Sequence, residues 1–522
     1  MGAANTLSGD LSPCAGEAAG TVARPAACDR LATFLAVVLT LEALLVFVSF
    51  ALVSLSRLND RRGLDHVSGV WIGLSCHLNH GTLYPAVYDG QTYAGTRYMP
   101  GYFTAHALLA RVTGEYQVSG KVLSLLVMAA CWMLVYRILR GAGCSTSLAL
   151  ALAALGPVSS LGLEAASTIR GDALAVLWQL SALAAAAQDR SRSHAAGAAL
   201  LCTLAVFTKV TALWAPLAIT CYYWPRDRRY VFVFLAVWLT SLFAGLAALH
   251  LIISGRMLDN FRVIAESSGG RLLLLFKSPF RLLRFLKGSS LLMLLTPFLV
   301  LEIVRAIRQR RLTVYHYGCL CCLPILLLIY GDRGTTANHL IDLVVLAPLL
   351  MGFLWSSTAG WTSRQTGLPA LVVTAILWAL ATLWSDNLGV CLRDTFAVGP
   401  SRAATAPNAG QLAAVLLGER GLILAEDPAI VVARGQVPVV LDPYMLPYIE
   451  KKHPEWIAAL ARRIHNKEFA CIVLSYRLDL DPEVNEGWYR ILFGQTIAGA
   501  IRVNYRFAGQ ADGRCVYAPA DN

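Results

Sequence analysis

Residues 31–65 read LATFLAVVLTLEALLVFVSFALVSL followed by SRLNDRRGLD. Residues 31–55 exceed the roughly 20 apolar residues that cross a bilayer core, so this segment predicts a membrane anchor. Residues 1–30 are polar and rich in Ala and Gly, without a basic stretch leading into a cleavable apolar core. The run is therefore expected to stay in the membrane. A carboxylate, Asp65, follows Leu55 by ten residues.

The rest of the chain repeats this pattern. Of 522 residues, 57% are hydrophobic and 15% charged, against about 25% charged in soluble proteins. That balance excludes a soluble enzyme, a disordered chain and a fibrous one, and predicts a polytopic membrane protein. The net charge of +12 comes mostly from arginines between apolar segments, where topology charges sit, so nucleic acid is not an expected partner. Cys131, Cys202, Cys221, Cys319, Cys321 and Cys322 lie in apolar runs and read as small hydrophobes. No pair of CxxC motifs supports a zinc ribbon.

Spans are expected near 31–55, 121–139, 145–163, 172–187, 195–208, 210–224, 230–254, 288–305, 315–331, 338–356 and 367–385. Lys209 divides the 195–224 stretch, because a Lys at mid-bilayer costs about 2.5–3.5 kcal/mol. Eleven spans with a cytoplasmic N-terminus put Arg137, Arg140, Arg190, Arg192, Arg226, Arg228, Arg229, Arg305, Arg308, Arg310, Arg311 and Arg364 on the inner side. The outer side then holds a long first loop (56–120), a short turn (164–171), a basic loop (255–287) and the turn Gly331–Asn338. The polar segment 386–522 reads as a small extracytoplasmic α/β domain. Its expected strands are 421–425, 438–441, 469–475, 501–507 and 514–517, with helices at 444–451 and 454–465. Cys471 and Cys515 fall on two of these strands and could pair in an oxidising compartment. The organisation is thus a polar tail (1–30), a transmembrane domain (31–385) and the outer domain (386–522).

The first outer loop carries the motifs. Val67, Val70, Trp71, Leu74 and Leu78 recur at helical spacing, predicting an amphipathic helix over 66–79 on the membrane surface. The chain turns at Asn79-His-Gly81 and continues through Thr82-Leu-Tyr-Pro85, including Tyr84. Arg97-Tyr-Met-Pro-Gly-Tyr-Phe103, with Tyr98, leads into a second surface helix. This order resembles the GT-C superfamily of polyprenyl-phosphate-sugar-dependent membrane glycosyltransferases, including bacterial protein mannosyltransferases and aminoarabinose transferases. Thr168-Ile-Arg-Gly-Asp172, Phe207-Thr-Lys209, Asn338-His-Leu-Ile-Asp342, Glu426-Asp-Pro428 and Leu441-Asp-Pro443 also resemble segments of bacterial members. The resemblance spans nearly the whole chain. Relatives often follow the loop Asp with a second acid, whereas His66 and Ser68 stand here.

The resemblance implies a polyprenyl-phosphate-sugar donor, a glycan, lipid or protein acceptor, and residence in a bacterial cytoplasmic membrane. The chemistry needs a base for the acceptor hydroxyl and cations for the departing phosphate. Asp65 is the expected base, with helix N-capping as its alternative role. Asp60 and Asp89 share the loop and stand next in line. Tyr84, Arg97, Tyr98, Arg170, Asp172, Lys209, Arg333 and His339 are the expected substrate-binding residues. Lys209 stands out, since an ionisable side chain inside a membrane segment points to function, although snorkelling or a buried ion pair also accounts for it. Arg170 and Asp172 also read as an ion pair, and Asp342 as paired to a basic neighbour. The 255–287 loop suits an anionic lipid surface or donor-lipid capture. No acidic cluster in the outer loops makes a divalent site, and metal dependence stays open. A transporter or flippase is the alternative, but no internal repeat is evident. A non-catalytic envelope-assembly protein is a third reading.

Overall fold

The computed structural model describes residues 26–58, 66–268, 272–332, 335–358, 367–396, 421–478, 480 and 492–521. Asp60, Asp65 and Arg333 lie outside them. Among the described residues, six helices are long and apolar enough to cross a membrane. They are Thr33–Ser56 within α1 (Ala26–Ser56), α4 (Tyr116–Gly141), α10 (Arg228–Ile252), α13 (Ser290–Arg308), Ala337–Ser356 and Val372–Arg393. The pair α5 (Thr146–Val158) and α6 (Ser160–Ser167), bent by 68°, makes a seventh if it forms one span. Phe34, Leu41, Phe232, Phe243, Met293 and Val300 stay exposed on these helices, as lipid-facing side chains would.

Six or seven such helices fall short of the eleven expected spans. The others are shorter: α7 (Asp172–Gln188), α8 (Arg192–Thr208) and α14 (Val314–Tyr330) have 17 residues each, and α9 (Trp214–Tyr223) has 10. Ten residues rise about 15 Å, half of a roughly 30 Å hydrocarbon core. The break at Lys209 is present: α8 ends at Thr208 and Lys209 is extended. The expected 145–163 helix bends at Ser159, whose hydroxyl donates to the Gly156 carbonyl at 2.7 Å and accepts from Gly162 N–H at 3.0 Å, capping the second half. The last apolar helix α16 (Gly367–Leu383) runs past 385 through a π-turn at Trp384–Gly389 into α17 (Val390–Phe396). Trp384 Nε1 donates to Ser49 Oγ at 2.9 Å and Asn387 to the Val158 carbonyl at 2.9 Å, tying that turn to α1 and α5.

The long loop after the first span holds the two expected helices, α2 (His66–Asn79) and α3 (Pro100–Thr113). Yet α2 is not a helix with one open, polar face. Ser68–His77 are all buried, because α3 and α4 cover one side and the C-terminal domain covers the other. Two glycines make the second contact possible. A Cβ at Gly69 would overlap the Asp427 carboxylate, and one at Gly73 would overlap the Leu441 side chain.

The C-terminal domain carries a four-stranded sheet, β1 (Leu422–Ala425), β2 (Phe469–Leu474), β3 (Tyr505–Ala511) and β4 (Arg514–Pro519), in the order β1-β2-β4-β3. β1 and β2 run parallel and the other pairs antiparallel. The helix Pro454–His465 buries Ile457, Leu460 and Ile464 against the sheet core. Two strand expectations fail. Ile501 belongs to the helix Gly494–Asn504, and the strand begins only at Tyr505, because apolar spacing over 497, 498 and 501 is helical. Residues 438–441 are extended but bridge Tyr93 of the first outer loop, with Tyr93 N–H on the Val439 carbonyl at 2.7 Å and Leu441 N–H on the Tyr93 carbonyl at 2.8 Å. Cys471 and Cys515 are not bonded to each other. Cys471 packs with Ile423 and Val473 on one face of the sheet and Cys515 with Leu474 and Tyr517 on the other, so their side chains point apart.

Candidate functional site

The bend at Lys209, the turn into α15 (Ile341–Thr358), the first outer loop and the C-terminal domain enclose a cavity of about 940 Å³. From the loop after the first span, His66, Trp71, Arg97 and Tyr98 line it. From the membrane helices come Arg170, Asp172, Lys209, Asn338 and His339, and from the C-terminal domain Asp442, Tyr444, Tyr448 and Lys451. Six of the residues singled out in the sequence thus share one space: Arg97, Tyr98, Arg170, Asp172, Lys209 and His339.

On the membrane side the chemistry centres on Asp172. It opens α7, where the helix dipole favours a carboxylate. Lys209 Nζ donates to its Oδ1 at 2.5 Å, and Asn338 Nδ2 to its Oδ2 at 3.0 Å. Lys209 also donates to His339 Nδ1 at 2.8 Å. A lysine ammonium only donates, so Nδ1 accepts and the imidazole carries its proton on Nε2. Arg170 pairs with Glu164 at 3.5 Å rather than with Asp172. Its side chain is 11% exposed, and those of Lys209 and Asp172 are 19% and 14% exposed. Asp342, expected to pair with a base, instead accepts the Trp214 indole N–H at 2.9 Å, one turn deeper.

The loop side is held by Arg97, 3.3 Å from Asp332, in the turn that carries Arg333. Tyr84 does not line the cavity. It is fully buried, and its hydroxyl reaches the carbonyls of Thr96 at 3.1 Å and Tyr98 at 2.9 Å, fixing the Arg97–Tyr98 backbone. It is a support, not a contact. Asp89 is exposed and closes a turn, accepting from Gln91 N–H, Thr92 N–H and the Thr92 hydroxyl at 2.9, 2.7 and 2.8 Å. Burial pushes its carboxyl up, but these bonds outweigh burial and hold it below the usual range. His66, next to Asp65, lines the cavity, as does Asp332, next to Arg333.

The C-terminal wall was missed as a site. Asp442 is 6% exposed, and its Oδ1 accepts Tyr444 N–H at 3.1 Å. Burial pushes its carboxyl above the ordinary range, only partly offset by His66 and Arg97. The one signal was the Leu441-Asp-Pro443 segment, which names no role by itself. Among the described residues, no group of three or more His, Cys, Asp or Glu side chains is placed to hold a metal ion.

No protein-family model matches this chain, and no curated protein matches it. The solved structure of ArnT from Cupriavidus metallidurans bound to undecaprenyl phosphate does, with a TM-score of 0.57 at 12% identity, over 92% of this chain and 98% of that one. Its apo form gives 0.56 at 12% identity, over 91% and 97%. The archaeal oligosaccharyltransferase AglB from Archaeoglobus fulgidus, in complex with an inhibitory peptide and a dolichol-phosphate, gives 0.49 at 11% identity, over 92% and 74%. The chain is a membrane protein that shares its fold with the ArnT structures. Among the matched structures its architecture follows that of ArnT over nearly its full length.

Proposed function

We propose that this chain is an integral membrane glycosyltransferase that moves a sugar from a polyprenyl-phosphate-linked donor to a cell-envelope acceptor. The observation that carries the reading is the shared cavity, which Arg170 and Lys209 line together with His66, the neighbour of Asp65 in sequence. In the reaction, the Asp65 carboxylate takes the proton of the acceptor hydroxyl. The hydroxyl oxygen attacks the anomeric carbon, the carbon–oxygen bond to phosphate breaks, and its electron pair leaves with the lipid phosphate. Attack opposite the leaving group inverts the anomeric centre. Arg170 and Lys209 stabilise the departing anion, and a phosphodiester donor needs no general acid.

The proposal includes eleven spans, an N-terminus in the cytoplasm and the C-terminal domain outside, in a bacterial inner membrane. The arginine distribution supports that orientation. Undecaprenyl phosphate, the lipid bound in the ArnT structure, is the probe for a test. The full chain in lipid nanodiscs should bind undecaprenyl phosphate, and Arg170→Gln should weaken that binding about tenfold, the worth of one charge-assisted hydrogen bond. With undecaprenyl-phosphate-linked sugars and envelope extract, it should release undecaprenyl phosphate as sugar enters the acceptor fraction. A wild-type chain that neither binds the lipid nor turns it over would sink the reading.

A further inference from the structure

The cavity has two unlike ends. The membrane end is ionic, with Lys209, Asp172 and Arg170. The end built by the C-terminal domain carries phenols, a buried carboxylate and one ammonium. Tyr444 and Tyr448 lie with ring centroids 5.2 Å apart and their hydroxyls 2.9 Å apart, and Lys451 Nζ sits 4.9 Å over the Tyr448 ring. Trp71 and Tyr98, packed at 4.5 Å between centroids, line the same space.

Asp442 sits at the root of this wall. One oxygen caps the turn at Pro443–Met445 through Tyr444 N–H. Among the described residues no donor reaches the other oxygen, although the residue is only 6% exposed and borders the cavity. That oxygen is open to the cavity, where a ligand can donate to it. Hydroxyl groups are suited to it, being compact donors that a carboxylate holds in a short, charge-assisted bond. Aromatic residues of the lining suit the apolar C–H face of a pyranose ring. A volume of about 940 Å³ also lies at the upper end of small-molecule sites, with room for more than a donor headgroup.

We propose that the C-terminal wall, Asp442 with Tyr444 and Tyr448, is an acceptor subsite that binds a glycan by its hydroxyls and ring face. This rests on the glycosyltransferase reading and names the acceptor as carbohydrate rather than peptide. The glycan hydroxyl to be glycosylated points away from Asp442, toward the Lys209 end of the cavity. Asp442 is thus a specificity residue.

The test uses the full chain in lipid nanodiscs, a panel of methyl hexopyranosides and methyl pentopyranosides, and saturation-transfer NMR, with undecaprenyl phosphate titrated separately. At least one glycoside should bind. Asp442→Asn keeps the turn cap, since Asn caps as well as Asp, and should weaken glycoside binding about tenfold. Tyr448→Phe should weaken it less and Tyr448→Ala most. Undecaprenyl-phosphate affinity should stay within about twofold in all three, since they remove none of the charge that holds a phosphate. The proposal is overturned if no glycoside in the panel binds, if binding ignores Asp442→Asn and Tyr448→Ala, or if these variants weaken lipid and glycoside binding alike. A wild-type chain that binds glycosides but not undecaprenyl phosphate would refute the donor reading and leave the subsite standing.

Discussion

Lys209 and Asp172, separated by 37 residues in sequence, form an ion pair at 2.5 Å at the membrane end of the cavity, with both side chains less than one-fifth exposed. Lys209 is therefore already paired before a phosphate arrives, and any part it takes in holding the departing anion is shared with Asp172. Removing one member of a buried pair leaves an uncompensated charge and typically costs 3–5 kcal/mol, whereas replacing both together is often near neutral. Lys209→Ala should lower thermal stability in detergent sharply. The double variant Lys209→Met with Asp172→Leu should recover much of that loss and yet stay inactive. A double variant as unstable as the single one would show that the pair does more than balance charge.

Asp65→Asn is the direct test of the base. Asn caps a helix as well as Asp, so the exchange separates chemistry from stability. Loss of general-base help should reduce donor-saturated turnover by about 10²–10⁴-fold. Asp89→Asn should change turnover little, since Asp89 closes an exposed turn. Retention of more than about a tenth of the activity by Asp65→Asn would move the search to Asp172.

Helix α2 should be intolerant of side chains where it meets the C-terminal domain. Gly69→Ala would push against Asp427 and the Pro428 backbone, and should destabilise by about 1–3 kcal/mol, as overpacking does. Gly197→Ala, on α8 with nothing within 4 Å of the new methyl, should instead stabilise by roughly 0.5–1 kcal/mol. Differential scanning fluorimetry of both variants checks the contrast in sign.

Acid should loosen the outer loop. His106 is fully buried, and burial lowers its pKa from 6.5 to about 4 even though its Nε2–H donates to the Tyr116 carbonyl at 2.6 Å. His77 is lowered to about 4 chiefly by burial as well. Between pH 6.5 and 4 the unfolded chain binds protons that the folded one does not. Stability therefore falls as pH drops through that window, by about 1.4 kcal/mol per pH unit for each histidine. His106→Gln should flatten the pH dependence of the melting temperature over that window. An unchanged slope would exclude His106 as a source.

Sidedness can be read by labelling. Arg192→Cys should be shielded from an impermeant thiol reagent in intact cells, and Gln510→Cys, exposed on β3, should react. The reverse pattern would invert the topology.

What the sequence determined by itself was local. Apolar runs, arginines and breakers reported the membrane class, nearly all the helix positions and the interruption at Lys209, because hydropathy and charge act on each segment independently of its neighbours. Six cavity residues were also legible as polar groups stranded at helix ends. Tertiary structure decided which of them meet. His339 reaches Lys209 across 130 residues, and Lys209, not Arg170, became the partner of Asp172. It also buried α2 beneath a domain far along the chain, turned Tyr84 from a contact into a support, and brought Asp442 to the cavity. Periodicity reports that a face is apolar but not what covers it. A lipid tail and the side of another domain exert the same hydrophobic preference on the sequence, and only the folded chain distinguishes them.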